Sequence, residues 1–357
     1  MQAPARPYPS QVTIRDCRYQ AMVGVGGIGS GTIFSLRGNH TLGREESRGG
    51  RFLDRRDYCK LHIISHYVKS LLGPEFSAIP IGRVGDDDIG HKLMEEMRDA
   101  GLELQHVQCA PGEQTLFSFC IVYPDGSGGN LTTDDSACAR VDAPFVAQAE
   151  PEFARFEGRG IALAAPEVPL SARDKLLQVG TQYKFLRVAS FVAEEMGSAI
   201  DMGMLERTDL LAINLNEAAA ASATSSNGTP SLSTPLEVVK MAVERLRDIN
   251  PALLISITGG KKGSWTWDGA SLVHVPAFPA EVVSTAGAGD AHLAAILAGL
   301  AAGLALSEAH ELGALTAALS VTSPHTINKE VDRKSLQAFA AVIQAPLCAA
   351  VKNLLAN

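Results

Sequence analysis

The chain has 357 residues, 46% of them hydrophobic, enough to bury a large core in one big α/β domain or two smaller ones. With 31 Lys and Arg against 39 Asp and Glu the net charge is -8, so no overall basic field exists to hold a polyanion, and a nucleic-acid partner is not expected. The longest apolar run, residues 291–306, contains His292 and is shorter than the ~20 residues of a membrane span, so no membrane association is expected either.

Cys17, Cys59, Cys109, Cys120, Cys138 and Cys348 lie far apart and form no C-x-x-C pair, so their spacing suggests neither a zinc site nor a disulfide framework. Reduced thiols in the cytoplasm are the expectation. Residues 1–18 are polar and proline-bearing and lack the apolar core of a signal peptide. Residues 1–20 read as an N-terminal extension and 21–357 as a single domain.

In chain order, 21–25 is the first expected strand, and 32–50 follows as β-hairpin material. A strand at 77–81 precedes an amphipathic helix at 87–100. Residues 115–133, with the turn Tyr123-Pro124-Asp125-Gly126, again read as a hairpin without helices. Segments 30–52 and 112–135 are thus expected to form a small β-lid over one edge of a sheet. Strands follow at 160–164, 185–192, 210–214 and 253–258, alternating with helices at 171–179 and 235–249. The Ser, Thr, Asn, Gly and Pro-rich residues 222–234 read as an exposed loop. A hairpin at Trp267-Asp268-Gly269-Ala270 joins 264–266 to 271–276, and helices at 289–303 and 307–321 follow. Such alternation predicts an α/β fold with a mostly parallel sheet flanked by helices.

The chemistry centres on Gly287-Ala288-Gly289-Asp290, between a short extended stretch and an Ala/Leu-rich helical pattern. Glycines opening directly into a helix leave free backbone N–H groups and a positive dipole end facing whatever approaches. A phosphate can come close to such a main chain, and a carboxylate beside it can take the proton of an attacking hydroxyl. The alternative is an ordinary first-turn acid favoured by the helix dipole. Asn214-Leu215-Asn216-Glu217 and Thr258-Gly259-Gly260-Lys261-Lys262-Gly263 shift the balance, because each follows an apolar strand and ligands bind at strand ends in open α/β sheets.

With these residues in place, the chain resembles the ribokinase family, also called the PfkB carbohydrate kinases, over about residues 24–328. The run S-T-A-G-A-G-D-A is similar to the family signature D-T-x-G-A-G-D-A. The resemblance implies a ribokinase-like three-layer fold with a β-lid, and a kinase using ATP and Mg²⁺ on a sugar, a sugar derivative or a nucleoside. It implies Asp290 as catalytic base and the main chain of Gly287, Ala288, Gly289 and Asp290 as anion hole. Asn214 and Glu217 match the N-x-x-E motif that organises Mg²⁺ and phosphate, with Glu217 acting on the metal through water. Thr258, Gly260 and Gly263 match the nucleotide-binding turn T-x-G-x-x-G, and Thr285 falls with them. Adenine is expected between the hairpin near Val275 and the helix near 316–320. Gly82-Arg83-Val84-Gly85-Asp86-Asp87 resembles an element of mostly architectural role. Lid hairpins of the family can pair across a dimer, so a homodimer is an expectation.

Departures cluster at the acceptor end. Gly31 stands where the family has a sugar-binding Asp. Gly49 and Gly50 match a glycine pair normally followed by a sugar-binding Asn, and Asp54 stands in for that Asn. Glu167, in Pro166-Glu167-Val168-Pro169, resembles a substrate-facing acid of some members. Ser284 replaces the Asp that helps hold a monovalent cation in some members, which argues against a K⁺ requirement. Arg44, Arg48, Arg51, Arg55 and Arg56, interleaved with Glu45, Glu46 and Asp54, form either a clamp for an anionic acceptor or a self-paired helix face.

Gly24-Val25-Gly26-Gly27-Ile28-Gly29 fits the dinucleotide pattern G-x-G-x-x-G, but the β-branched, glycine-broken residues after it cannot open the helix that pattern needs. A binding protein that keeps the fold without turnover is the remaining rival. His292 lies about 200° around the helix from Asp290 and is expected to pack rather than react.

Overall fold

The computed structural model describes residues 17–40, 42–124, 128–222 and 234–356, apart from the side chain of Asp54. The expected turn at Asp125-Gly126, most of the loop at 222–234 and most of the N-terminal extension lie outside the described residues. The first strand, β1 (Ala21–Val25), is buried along its whole length, as befits an apolar run covered on both faces. From it the chain makes an excursion along β2 (Gly29–Leu36) and back along β3 (Gly50–Tyr58) into α1 (Lys60–Leu72). Next come β4 (Ser77–Gly85), α2 (Asp88–Asp99) and β5 (Val107–Ala110), then a second excursion through β6 (Leu116–Val122) and β7 (Gly128–Thr132). Helices α3 (Ala143–Ala147) and α4 (Glu150–Arg155) lead to β8 (Gly160–Ala164), α5 (Leu170–Gln182), β9 (Leu186–Ala189), α6 (Met196–Asp201), β10 (Leu210–Asn214) and α7 (Leu215–Ser222). Then follow α8 (Pro235–Ile249), β11 (Leu254–Thr258), β12 (Ser264–Trp267), β13 (Leu272–Val275), α9 (Ala288–Ala301), α10 (Leu306–Ser320), α11 (Arg333–Val342) and α12 (Ala349–Ala356).

The main sheet has nine strands in the order β13-β12-β11-β10-β9-β8-β1-β4-β5. It is parallel from β11 to β5, and β12 and β13 are added antiparallel at one edge. Apolar layers cover both faces, one including Tyr67, Leu163 and Ile296, the other Val23, Leu177 and Val243. The fold is the three-layer α/β arrangement expected from the alternation of elements.

Local signals explain several boundaries. Thr234 and Glu237 form a reciprocal capping box at the start of α8, with Pro235 at its first position. Asp268 accepts from the amides of Ala270 and Ser271, closing the β12–β13 turn. Helix α9 is buried nearly all round, and at Gly299 an added Cβ would lie 2.8 Å from Ala309 Cβ, so the small residue lets α10 pack against it.

The two excursions form a separate four-stranded sheet, β3-β2-β6-β7, in which β2 and β6 run parallel and the outer pairs antiparallel. One lid sheet results rather than two independent hairpins. Its strand β3 continues to Tyr58, beyond the 30–52 range read from sequence. The charged run from Arg51 to Asp57 is therefore strand and not a helix face. Phe52 pairs with Phe34 and Leu53 with Ile33 across β2, and this apolar pairing outweighs the helix-like spacing of the charges. Helix α1 has no counterpart among the expected elements, because its buried Ile63, Ile64 and Val68 are poor helix formers in isolation.

Candidate active site

The ends of β10 and β11, the turn before α9 and the start of α1 meet over the lid side of the sheet. At the end of β10, Asn214 Oδ1 accepts from the amides of Asn216 (2.8 Å) and Glu217 (3.0 Å), and Glu217 Oε2 accepts from Asn214 N at 2.7 Å. This reciprocal cap fixes a buried carboxylate at the start of α7, where the helix dipole favours it. Burial pushes the Glu217 carboxyl above its ordinary range, and Lys60 pulls it back. At the end of β11, Gly259 N donates to Gly263 O (2.8 Å), and Gly260 and Gly263 take φ of 57° and 85°, a tight turn that carries Lys261 and Lys262 outward.

Gly287 caps α9 with φ 79°, and a Cβ there would lie 2.5 Å from Thr326 O, so only glycine fits. The Ala288 amide reaches Thr285 O at 3.3 Å. Among the described residues the amides of Gly289 and Asp290 have no such backbone partner, so these two face the cleft free. Asp290 stands half-buried in the first turn of α9, and its carboxylate makes no hydrogen bond among the described residues. Burial pushes its pKa above the ordinary carboxylate range; Lys60 opposes that shift and Asp57 adds to it.

These groups border a cleft of about 740 Å³, to which Asn214, Thr258, Gly260, Gly263, Thr285 and the Gly287 to Asp290 turn all contribute. Phe278 and Val282, together with Ala314, Ala317 and Val321 on or just after α10, give the cleft an apolar lining. Ser284 is buried beside the cleft, its amide bonded to Val321 O and its Oγ to Ala286 N (3.4 Å). A smaller cavity of about 60 Å³ continues inward between Lys60, Ser256, Glu217 and Asp290.

Lys60 and Asp57 were not among the expected site residues. Lys60 opens α1 and borders both cavities; its pKa is raised above the ordinary lysine value, most by Asp290 and, against the opposing effect of burial, also by Glu217 and Glu167. Asp57 is buried at the end of β3, hydrogen-bonded by Ser118 Oγ and, at 3.2 Å, by Cys120 Sγ. The sequence signal available was an Asp and a Lys flanking Tyr58-Cys59 just ahead of an apolar run, but finding it required recognising α1.

The substrate-side expectations separate in space. Gly31 pairs directly with Asp57 and Ser118, and a Cβ there would lie 2.9 Å from Asp57 Oδ2. Space next to Gly31 is thus filled by Ser118, whose Oγ would be nearer still, together with the Asp57 carboxylate it donates to, each from a neighbouring strand. Glu167 is brought in as well: it adopts φ 74°, and its Oε2 accepts from Lys60 N at 3.2 Å. Its carboxyl is pushed up to about 7 by burial, with Lys60 opposing. The structure does not bring Gly49 and Gly50 to this site. Gly50 pairs with Leu36 at the opposite end of β3 from Tyr58, a strand's length of roughly 25 Å away. Asp54 lies between them in β3, and its side chain falls outside the described residues. Of the arginines, Arg48 pairs with Glu46 and Arg56 with Glu96.

His292 borders the cleft but packs: its Nε2 lies 3.1 Å from Ser264 Oγ, which lies 2.6 Å from His310 Nε2. Burial holds both rings in the neutral form, with pKa values lowered to about 3 and about 4.

A parallel-sheet α/β domain with a β-lid, a helix N-terminus facing a cleft and an unengaged acid in its first turn is the architecture of a small-molecule phosphotransferase. The sequence pattern of the pfkB family of carbohydrate kinases matches residues 66–333, and the chain belongs to that family. It is 28% identical to fructoselysine 6-kinase of Escherichia coli over 243 residues, 67% of this chain and 80% of that one. It is 25% identical to the bifunctional protein HldE of Methylobacillus flagellatus over 287 residues, 77% of this chain but only 55% of the relative's length. Among solved structures, ribokinase from Giardia lamblia superposes with a TM-score of 0.73 at 18% identity, covering 89% of this chain and 98% of that one. A Burkholderia thailandensis nucleoside kinase in complex with inosine superposes with a TM-score of 0.69 at 17% identity, covering 90% and 97%. At these identities the structural likeness bears on the fold.

Proposed function

We propose that this protein transfers the γ-phosphoryl group of ATP to a hydroxyl of a neutral, polyhydroxylated small molecule of the sugar class, with Asp290 as general base. The observation that carries this reading is a carboxylate in the first turn of α9 that is unengaged among the described residues, on the same cleft as the Gly289 and Asp290 amides, which have no backbone partner among those residues, and beside Lys60. The acceptor oxygen attacks phosphorus as its proton passes to Asp290, and the bond from phosphorus to the ADP oxygen breaks. The α9 amides and Lys60 face the charge that spreads over the transferred group. A raised pKa suits Asp290 to receiving that proton and passing it on to solvent.

The nucleotide reading is supported by the cleft itself, with its apolar lining for a base and its glycine turns for phosphates. The residues also fit Mg²⁺: Glu217 is a hard oxygen donor beside a cavity with room for about two water molecules, the setting in which this ion keeps part of its hydration. When bound, Mg²⁺ supplies neutralisation of phosphate oxygens.

On the acceptor side, Asp57 takes over the place vacated at Gly31, and Glu167 supplies a second carboxyl close to Asp290. Such acceptors suit sugar hydroxyls. They disfavour an anionic acceptor, and the engagement of Arg48 and Arg56 with glutamates removes two members of the arginine clamp. The lid face away from Asp57 carries Phe34, Phe52 and Phe119 in mutual contact, with Phe52 66% exposed and Leu131 64% exposed. A second copy of the lid covering this patch accounts for it, so the working assembly is a homodimer. The wide spacing of the cysteines along the chain, with no C-x-x-C pair, accords with a cytoplasmic location.

The test is a transfer assay with ATP and Mg²⁺ over neutral sugars, sugar phosphates, sugar acids and nucleosides, run on the wild type and on Asp290→Asn. Transfer to a neutral sugar, lost by at least ~10²-fold in the variant while ATP affinity stays within a few-fold, is expected. Preference for a sugar phosphate, a sugar acid or a nucleoside overturns the acceptor assignment, and no transfer to any acceptor favours a binding protein.

A further inference from the structure

A separate cluster lies where β4 runs into α2. Asp86 follows the last residue of β4, His91 is in the first turn of α2, and Cys109 is in β5, paired with Val84 of β4. The three side chains converge: Asp86 Oδ1 is 3.0 Å from His91 Nε2 and 3.5 Å from Cys109 Sγ, and Cys109 Sγ is 3.8 Å from His91 Nε2. None of them borders the cleft around Asp290.

These separations match a metal's coordination edges. Zinc bonds of about 2.0–2.3 Å to nitrogen, oxygen and sulfur, arranged tetrahedrally, set ligand atoms about 3.3–3.6 Å apart. An ion at ordinary bond lengths reaches all three atoms from just off the plane they define. We propose that Asp86, His91 and Cys109 form a surface site for one zinc-class divalent cation, with at least one coordination position left open to water. Ligand chemistry selects the ion: a thiolate and an imidazole favour a borderline-soft cation, whereas Mg²⁺ asks for oxygen donors.

The frame around the site is fixed. The neighbouring Asp87 caps α2 by accepting from Gly90 N at 2.7 Å and holds Thr115 through its amide (2.7 Å) and hydroxyl (2.6 Å). Its carboxylate is thereby occupied, while those of Asp86 and the ring of His91 stay exposed and open to an arriving ion. Without metal, partial burial and then the Asp86 hydrogen bond keep the Cys109 thiol protonated and above its usual range. Cation binding replaces that proton, which leaves to solvent as the sulfur–metal bond forms. Because the ligands come one each from the residue after β4, from α2 and from β5, the spacing of cysteines along the chain carries no trace of the site.

The experiment uses untagged, full-length protein, reduced and stripped of metal, titrated with Co²⁺ and followed by absorption. One equivalent of Co²⁺ giving a thiolate charge-transfer band, displaced by Zn²⁺, is expected. The band should vanish in Cys109→Ser, and affinity should fall by at least ~10-fold in His91→Gln, each variant first shown to melt like the wild type without metal. No band in the wild type overturns the proposal, as does a band that persists in Cys109→Ser, which would place the metal on another cysteine. A melting temperature that rises with Zn²⁺ in the wild type but not in the variants is a second, independent readout.

Discussion

Replacing Glu167 by Gln should change the way stability depends on pH, and the size of the change follows from the structure. The Glu167 carboxyl is pushed from 4.5 to about 7 by burial, with Lys60 offsetting part of the shift. A carboxyl whose folded pKa is raised favours the protonated fold, so its contribution is full below the unfolded value and is lost as pH climbs through about 7. One pKa unit corresponds to 1.36 kcal/mol, and proton linkage over this shift gives roughly 2.5 kcal/mol lost between about pH 5 and pH 8. Gln keeps the side chain's shape, the acceptor for Lys60 N and the backbone strain at φ 74°, so these cancel in the comparison. Urea unfolding of both proteins across that range measures it. The variant should gain roughly 2–3 kcal/mol on the wild type as pH rises, most of it between about pH 5 and pH 7. Parallel pH dependences would refute the burial argument.

Lys60→Met removes the cation that lowers the Asp290 pKa, so the acid limb of the kcat–pH profile should move to higher pH and kcat should fall about 10²-fold; an unmoved limb contradicts a role for Lys60 beside the base. Gly287→Ala puts a Cβ 2.5 Å from Thr326 O at φ 79°, and should cost about 1–3 kcal/mol, read as a lower melting temperature together with lost turnover. Wild-type stability in that variant would mean the cap relaxes freely. Phe52→Asp should convert a dimer to monomer in light scattering after gel filtration without loss of fold, and a wild type that is already monomeric at tens of micromolar removes the lid-pairing proposal.

Several parts of the molecule are legible in short stretches of sequence because the forces that set them are local. The Asn214 and Glu217 cap spans a single turn, the Asp268 turn closes on its own amides, and Gly287 declares itself as the left-handed residue before a helix. Strand boundaries of the main sheet follow from apolar runs buried on both faces, as at β1 and β8. Helix α1 escaped because tertiary burial of Ile63, Ile64 and Tyr67 offsets their modest helix propensity, and β3 escaped because its pairing partners lie in β2, well before it in the chain.

What the sequence by itself determined are the glycine turns at strand ends and the acid at a helix start to which the phosphate role is proposed, each defined within a few residues by backbone geometry. Only the tertiary structure decided which residues stand beside Asp290 and Gly31. Asp57 reaches Gly31 through strand pairing in the lid, Lys60 meets Asp290 because α1 packs against α9, and Glu167 closes on Lys60 from beyond β8. Those contacts join residues far apart in the chain, and their driving force is the shared burial of the lid root and α1 rather than any local pattern.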